Sequence, residues 1–319
     1  MGASSQEFGA VVASELQLLY STTVTADQID ALGHMNVRFY GVHALAGAGE
    51  LCKRIGLPPF REGSAVATYT DVTDLYTRHY LEQLEGAALE VWGSVLEVLE
   101  KGVRCYFELR NPVRDEFGAT FVFAMQHRSM DSRDALPLSD ETASAAKALC
   151  IDLPEQDQPR SIDLEVAPTA YSLDELRALN IDESDIRFVD EGCCDENGEF
   201  RVQKFMDLAW GGGGYVEMDE DWLRTLENGD RMGWATMESR CTLVQWPRAG
   251  TRIQSIRATV ELNRKAQREI IWVFDVETKE LICITSFVDV AFNINTRRAV
   301  EIPDFERERL EAYYRPELG

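Results

Sequence analysis

Apolar and small residues fall at Val37, Tyr40, Ala44, Ala48, Leu51 and Ile55, in steps of three and four that hold one face of an α-helix. The polar run before it, Asp30 to Asn36, is turn-forming, and Asp30 and Asn36 are both good helix-start residues. Gly56 and Pro58 close the far end, so the spacing predicts a helix of about 20 residues, roughly 30 Å long. The segments around it alternate with a period of two. Leu16, Leu18, Tyr20 and Val24 predict a strand before the helix, and strands are expected at Ser64–Tyr76, Gly86–Leu99, Val103–Leu109 and Ala119–Gln126 after it. Short turns join most of these strands. They predict an antiparallel sheet wrapped around one helix, an α+β unit.

The pattern then recurs at a fixed offset. Asp195, Gly198, Val202 and Phe205 stand 165 positions after Asp30, Gly33, Val37 and Tyr40, and Ala209, Gly213 and Val216 continue the stripe as Ala44, Ala48 and Leu51 do. The order also repeats, with a strand at Ile186–Glu191, a helix from Phe200 to Glu217, and strands at Gly233–Val244, Thr251–Leu262, Glu269–Val276 and Leu281–Phe292. Gly211–Gly214 inside that helix implies close approach to a sheet or ligand. A matching apolar phase over some twenty residues points to internal duplication. The expected division is a first unit over 1–130, a linker over 131–164 with a short helix at Asp140–Leu149, and a second unit over 165–319 that ends in a charged helix or frayed end at Phe305–Tyr314.

Composition narrows the setting. The 319 residues allow two cores, and no apolar run approaches the length needed to cross a bilayer. A cytoplasmic location is therefore expected. Seven cysteines without paired spacing argue for free thiols, and nothing suggests a metal or another cofactor. The net charge of −23 opposes nonspecific binding to nucleic acid or to an anionic membrane, and any anionic ligand would need a local basic patch.

The Asp30-x-x-Gly33-His34-Met35-Asn36-x-x-x-Tyr40 motif and the strand order resemble the hotdog-fold thioesterases, especially the 4-hydroxybenzoyl-CoA thioesterase-like branch. Two fused copies look like the plant acyl-carrier-protein thioesterases. The resemblance implies a tandem hotdog that hydrolyses an acyl thioester of CoA or of acyl-carrier protein, with a role in lipid metabolism. It gives Asp30 the position of the catalytic carboxylate. It leaves open a homodimer or a higher homo-oligomer.

The chemistry is consistent with that assignment. A helix amino terminus offers N–H donors to the charge that develops on an attacked thioester carbonyl, and a carboxylate beside it can activate water or attack directly. The candidate catalytic residues are Asp30, His34 and Asn36. Gly33, Phe39, Tyr40 and Arg201 are the candidate binding residues, with Arg201 or Lys204 set to meet a phosphate or carboxylate. Asp195, Glu199, Asp207 and Glu50 are weaker candidates. Each residue also has a plain reading: Asp30 and Asn36 as caps, His34 as a packed histidine, Tyr40 as core. In the second copy Glu199 replaces the histidine and Arg201 the asparagine, so one working site is expected, with the other half forming its wall. A hotdog hydratase or dehydratase and a non-catalytic acyl-thioester binder are the rival readings.

Overall fold

The computed structural model describes residues 15–61, 67–210 and 223–319. The first half runs β1 (Gln17–Thr23), a 3-10 turn (Ala26–Gln28), α1 (Val37–Ile55), β2 (Thr68–His79), β3 (Ala88–Leu99), β4 (Gly102–Asn111) and β5 (Glu116–Ser129). Helix α1 starts where Asn36 Oδ1 accepts the Arg38 N–H. It ends at Gly56, whose left-handed φ of 78° lets its N–H reach the Cys52 and Lys53 carbonyls. Tyr40, Ala44, Ala48, Leu51 and Ile55 are buried as the stripe requires, and Val37 is half-buried. Gly47 lets the helix lie close on the sheet, because a Cβ there would sit 2.5 Å from Val91 Cγ1.

After β5 comes α2 (Asp140–Ala148), capped by Ser139 and tied to α1 by the Thr142 hydroxyl, which donates to the Gly56 carbonyl at 3.3 Å. Helix α3 (Leu173–Ala178) follows. The strand expected at Ile186–Glu191 is instead two fragments, β6 (Asp182–Glu183) and β7 (Arg187–Phe188), both paired with β10 (Arg252–Leu262). Asp190 Oδ1 accepts the Gly192 N–H at 2.6 Å and turns the chain into a 3-10 segment, Glu191–Cys193, which ends the strand early.

The helix expected from Phe200 also starts later. The Phe200 and Arg201 N–H groups donate to the Pro247 and Cys193 carbonyls, so helical structure begins with a 3-10 turn at Val202–Lys204 and α4 (Phe205–Ala209). Gly211–Gly214, Val216 and Glu217 of that expected helix lie outside the described residues. Beyond it run β8 (Arg224–Thr225), β9 (Arg231–Leu243), β10, β11 (Ala266–Asp275), β12 (Leu281–Asn293), β13 (Arg298–Ala299) and α5 (Asp304–Ala312), the last being the charged tail in helical form.

All strand pairs are antiparallel and form one sheet in the order β1-β3-β4-β5-β2-β9-β12-β11-β10-β6. The second half therefore mirrors the first about the β2–β9 seam. In that seam Asp74 faces Thr242 and Thr77 faces Ser239, while Leu75 faces Cys241 and Tyr76 faces Arg240. Moving each member by the 165-residue offset turns one pair into the other, which is the signature of a pseudo-two-fold axis. The turns repeat as well. Asp30 and Gly33 make the same two backbone bonds, to the His34 and Asp30 carbonyls, that Asp195 and Gly198 make to Glu199 and Asp195. Helices α1 and α4 lie on the same side of the sheet, and one core holds residues of both, among them Ala44, Leu51, Phe205, Leu208 and Phe287.

Candidate active site

The Asp30–Asn36 turn is fixed by its own backbone. The Asp30 N–H donates to the His34 carbonyl at 3.0 Å and the Gly33 N–H to the Asp30 carbonyl at 2.9 Å. Gly33 holds a φ of 84°, which a glycine adopts without strain. Asp30 Oδ1 accepts the Leu32 N–H at 2.9 Å and the carboxylate is only 6% exposed. The Gly33 N–H is thus already used, whereas the His34 N–H has no hydrogen-bond partner among the described residues. It lies two residues before the Asn36 cap, close to the end of α1 whose field favours negative charge. Asn36 is buried, with its side chain spent on capping α1 and its N–H on the Gln28 carbonyl.

His34 stands between two acids. Its Nδ1 lies 3.7 Å from Asp30 Oδ2 and 3.4 Å from the Met35 carbonyl, and its Nε2 lies 3.5 Å from Glu82 Oε1. The other oxygen of Glu82 is paired with Arg297 of the second half. Neither Glu82 nor Arg297 was among the candidates from sequence. Glu82 lies in an irregular loop pinned by buried Gln83, which accepts from Asn111 Nδ2 at 2.9 Å and takes the Met35 N–H on its carbonyl at 2.7 Å. The turn-rich Asn293–Arg298 stretch was the only local hint of the loop that carries Arg297.

Tyr40 is buried against the Leu81–Gln83 loop. Its hydroxyl donates to the Leu81 carbonyl at 3.2 Å and accepts the Gln83 N–H at 3.0 Å, and its ring meets His79 edge-on at 5.4 Å. Burial pushes its phenol up to about 12; the Gln83 N–H pulls the other way, and the charge of Asp30 adds a smaller push. Phe39 packs against the core under the Arg38 guanidinium, 4.8 Å from the ring centroid. Arg38 Nη1 lies 3.7 Å from Asp207 Oδ1 on α4, joining the halves. Burial raises the Asp207 carboxyl, and Arg38 and Lys204 restrain that rise. Glu50 pairs with Lys53 at 3.2 Å and Arg54 at 3.8 Å further along α1.

The second motif keeps the turn and changes the chemistry. Gly198 has a φ of 74°, and Asp195 Oδ1 accepts the N–H groups of Asn197 and Glu199, both at 2.9 Å. The donor left unpartnered at His34 is therefore occupied here. Glu199 is buried among arginines, and Arg201 Nε donates to the Cys194 carbonyl at 2.8 Å. Among the described residues no group of three or more His, Cys, Asp and Glu side chains could hold a metal ion, and no helix is long and apolar enough to cross a membrane.

No family model matches this sequence, and no curated protein matches it. Solved structures do. An acyl-ACP thioesterase from Bacteroides thetaiotaomicron superposes with a TM-score of 0.62 at 11% identity, over 85% of this chain and 96% of its own. The 12:0-ACP thioesterase from Umbellularia californica gives 0.63 at 10% identity, over 89% of this chain and 96% of its own. At these identities the likeness is one of fold, and that fold is the tandem hotdog, two antiparallel sheets merged across a seam with helices on one side.

Proposed function

We propose that the chain hydrolyses an acyl thioester, of CoA or of acyl-carrier protein, to a free acid and a thiol. The observation that carries this reading is the pairing, at one helix start, of a shielded carboxylate with an unpartnered backbone donor: Asp30 and the His34 N–H. The thioester oxygen would take that N–H, so the charge formed on attack falls where the helix field stabilises it. Asp30 would remove a proton from water as the water adds to the carbonyl carbon, or would attack that carbon itself. The C–S bond then breaks and the thiolate leaves, needing no strong acid; on the direct route this leaves an acyl–Asp30 anhydride, which water cleaves to release the acid and restore the carboxylate. His34, between Asp30 and Glu82, would orient the carbonyl or the water, and Asn36 holds the helix start. The division into 1–130, 131–164 and 165–319 belongs to the same proposal, with the second half serving as wall rather than as a second catalyst. The fold shared with thioesterases supports it.

Thiol release from a panel of acyl-CoAs, run beside water addition to crotonyl-CoA, tests the reading. Thiol release with at least one acyl group is expected. Water addition without thiol release would favour a hydratase. Binding without either reaction would leave only an acyl-thioester binder.

A further inference from the structure

Three arginines close on Glu199, which stands where the first motif has His34. Arg61 Nη1 donates to Oε2 at 2.9 Å, while Arg133 Nη2 and Arg248 Nη1 both donate to Oε1, at 3.2 and 2.5 Å. Arg61 comes from the first half, Arg133 from the start of the linker and Arg248 from the second half. Arg61 is tied inward, only 11% exposed, with its other amino group on the Phe200 carbonyl at 3.2 Å. Arg133 and Arg248 reach the same oxygen from outside and stay 41% and 62% exposed. The Tyr69 ring lies under Arg61 and Arg133, 5.9 and 5.8 Å from its centroid, and helps fix both planes.

The charges do not balance. Asp71, the other acid acting on Arg61 and Arg133, is held by Arg128 Nε at 3.0 Å and by the Trp246 indole N–H at 2.7 Å. Counting Arg128, four guanidinium groups thus meet two carboxylates, Glu199 and Asp71, in a chain whose net charge is −23. Two exposed ones converge on a single oxygen and repel each other. An anion with several oxygens, lying across them, would relieve that repulsion, and the planar fork of arginine matches phosphate.

Among the described residues, the interior of this crevice offers no second acyl slot. Phe200 and Trp246 stack at 5.9 Å with planes 15° apart, and about 10 Å³ is left between them, Arg61 and Asp71. That is no more than one water's worth of space.

We propose that this twin of the candidate active site has become a binding site for a phosphate-bearing anion, bridged by Arg133 and Arg248 on the outer side of Glu199. It supplies the local basic patch that so acidic a chain needs to hold an anionic ligand. Titration calorimetry with inorganic pyrophosphate at constant ionic strength tests it without any turnover. The wild-type protein should bind one equivalent saturably. Arg133→Ala and Arg248→Ala should each weaken binding about tenfold or more, as the loss of a charge-assisted pair implies, while Arg264→Ala, on an exposed pair with Glu301, should not. Circular dichroism on the same samples reports that the variants fold. Displacement of pyrophosphate by CoA would support the site and assign the phosphate to a nucleotide-bearing thiol. Failure to displace it would support the site as one for free phosphate anions. No saturable binding, equal affinity in wild type and Arg248→Ala, or malonate binding as tightly as pyrophosphate would overturn the proposal.

Discussion

Asp30 and Asp195 occupy the same turn, and their neighbours separate their uses. Asp30 lies by an imidazole and leaves a backbone donor unpartnered, whereas Asp195 consumes the equivalent donor, at Glu199. The turn itself was legible in sequence, because Asp30, Gly33 and Asn36 are local devices whose roles follow from residue type. Glu82 and Arg297 were not, since neither has a pattern of its own and both arrive through tertiary structure. Burial lowers His43 and His79 to about 4 each, and His43 is stacked on Tyr20 at 6.2 Å. Unfolded, each titrates near 6.5. Between those values the unfolded chain holds a proton that the folded chain lacks, so stability falls as pH drops from about 6.5 to about 4. For His43 alone the loss is roughly 3 kcal/mol. Asp289, pushed up to about 7 by burial, acts in the opposite sense as pH rises from 3.8, so the difference between proteins is the cleaner readout. His43→Gln should lose less stability than wild type on acidification in urea melts at pH 7 and 4.5. Parallel pH curves for the two proteins would contradict burial as the cause.

At the scale of elements, α1 follows its apolar period closely because it buries one face in the core, whereas β4, β5 and β10 to β12 bury residues on both faces, in separate clusters. The second helix starts later than its apolar stripe. The stripe through Val202, Phe205 and Ala209 is real, yet Phe200 and Arg201 are drawn into backbone bonds with Pro247 and Cys193 that no local period encodes. The strand before it breaks for the same kind of reason, at the cap formed by Asp190. Where α1 meets α4 the fit is close: a Cβ on Gly41 would lie 2.7 Å from Phe205 Cε1. Gly41→Val should therefore cost about 1–3 kcal/mol by overpacking, seen as a lower melting temperature, and it should weaken turnover because Arg38 and Asp207 meet at that contact. An unchanged melting temperature would mean that the two helices are not held so tightly.

At the scale of the molecule, the duplication was legible because the 165-residue offset survives in both turn chemistry and strand order. The sequence did not reveal how the two copies brace each other's motifs, with Arg297 of the second half on Glu82 of the first, and Arg61 of the first half and Arg133 of the linker on Glu199 of the second. The halves are therefore interdependent. A fragment of residues 1–130 would expose the β2 edge that β9 covers and the apolar residues under α4. It should self-associate or precipitate, as sedimentation velocity would show, and a well-behaved monomeric fragment would argue against a shared seam.

The central claim is that the first motif alone carries hydrolysis, through Asp30. The most direct measurement is kcat for Asp30→Asn and Asp195→Asn on the best thioester from the acyl-CoA panel, with CoA affinity measured alongside. Loss of one general base typically removes roughly 10²–10⁴-fold, so Asp30→Asn should lower kcat by about 10² or more with affinity largely kept, and Asp195→Asn should lower it far less. Hydrolysis by Asp30→Asn at the wild-type rate would make Asp30 a turn residue and contradict the account, as would equal losses at the two positions.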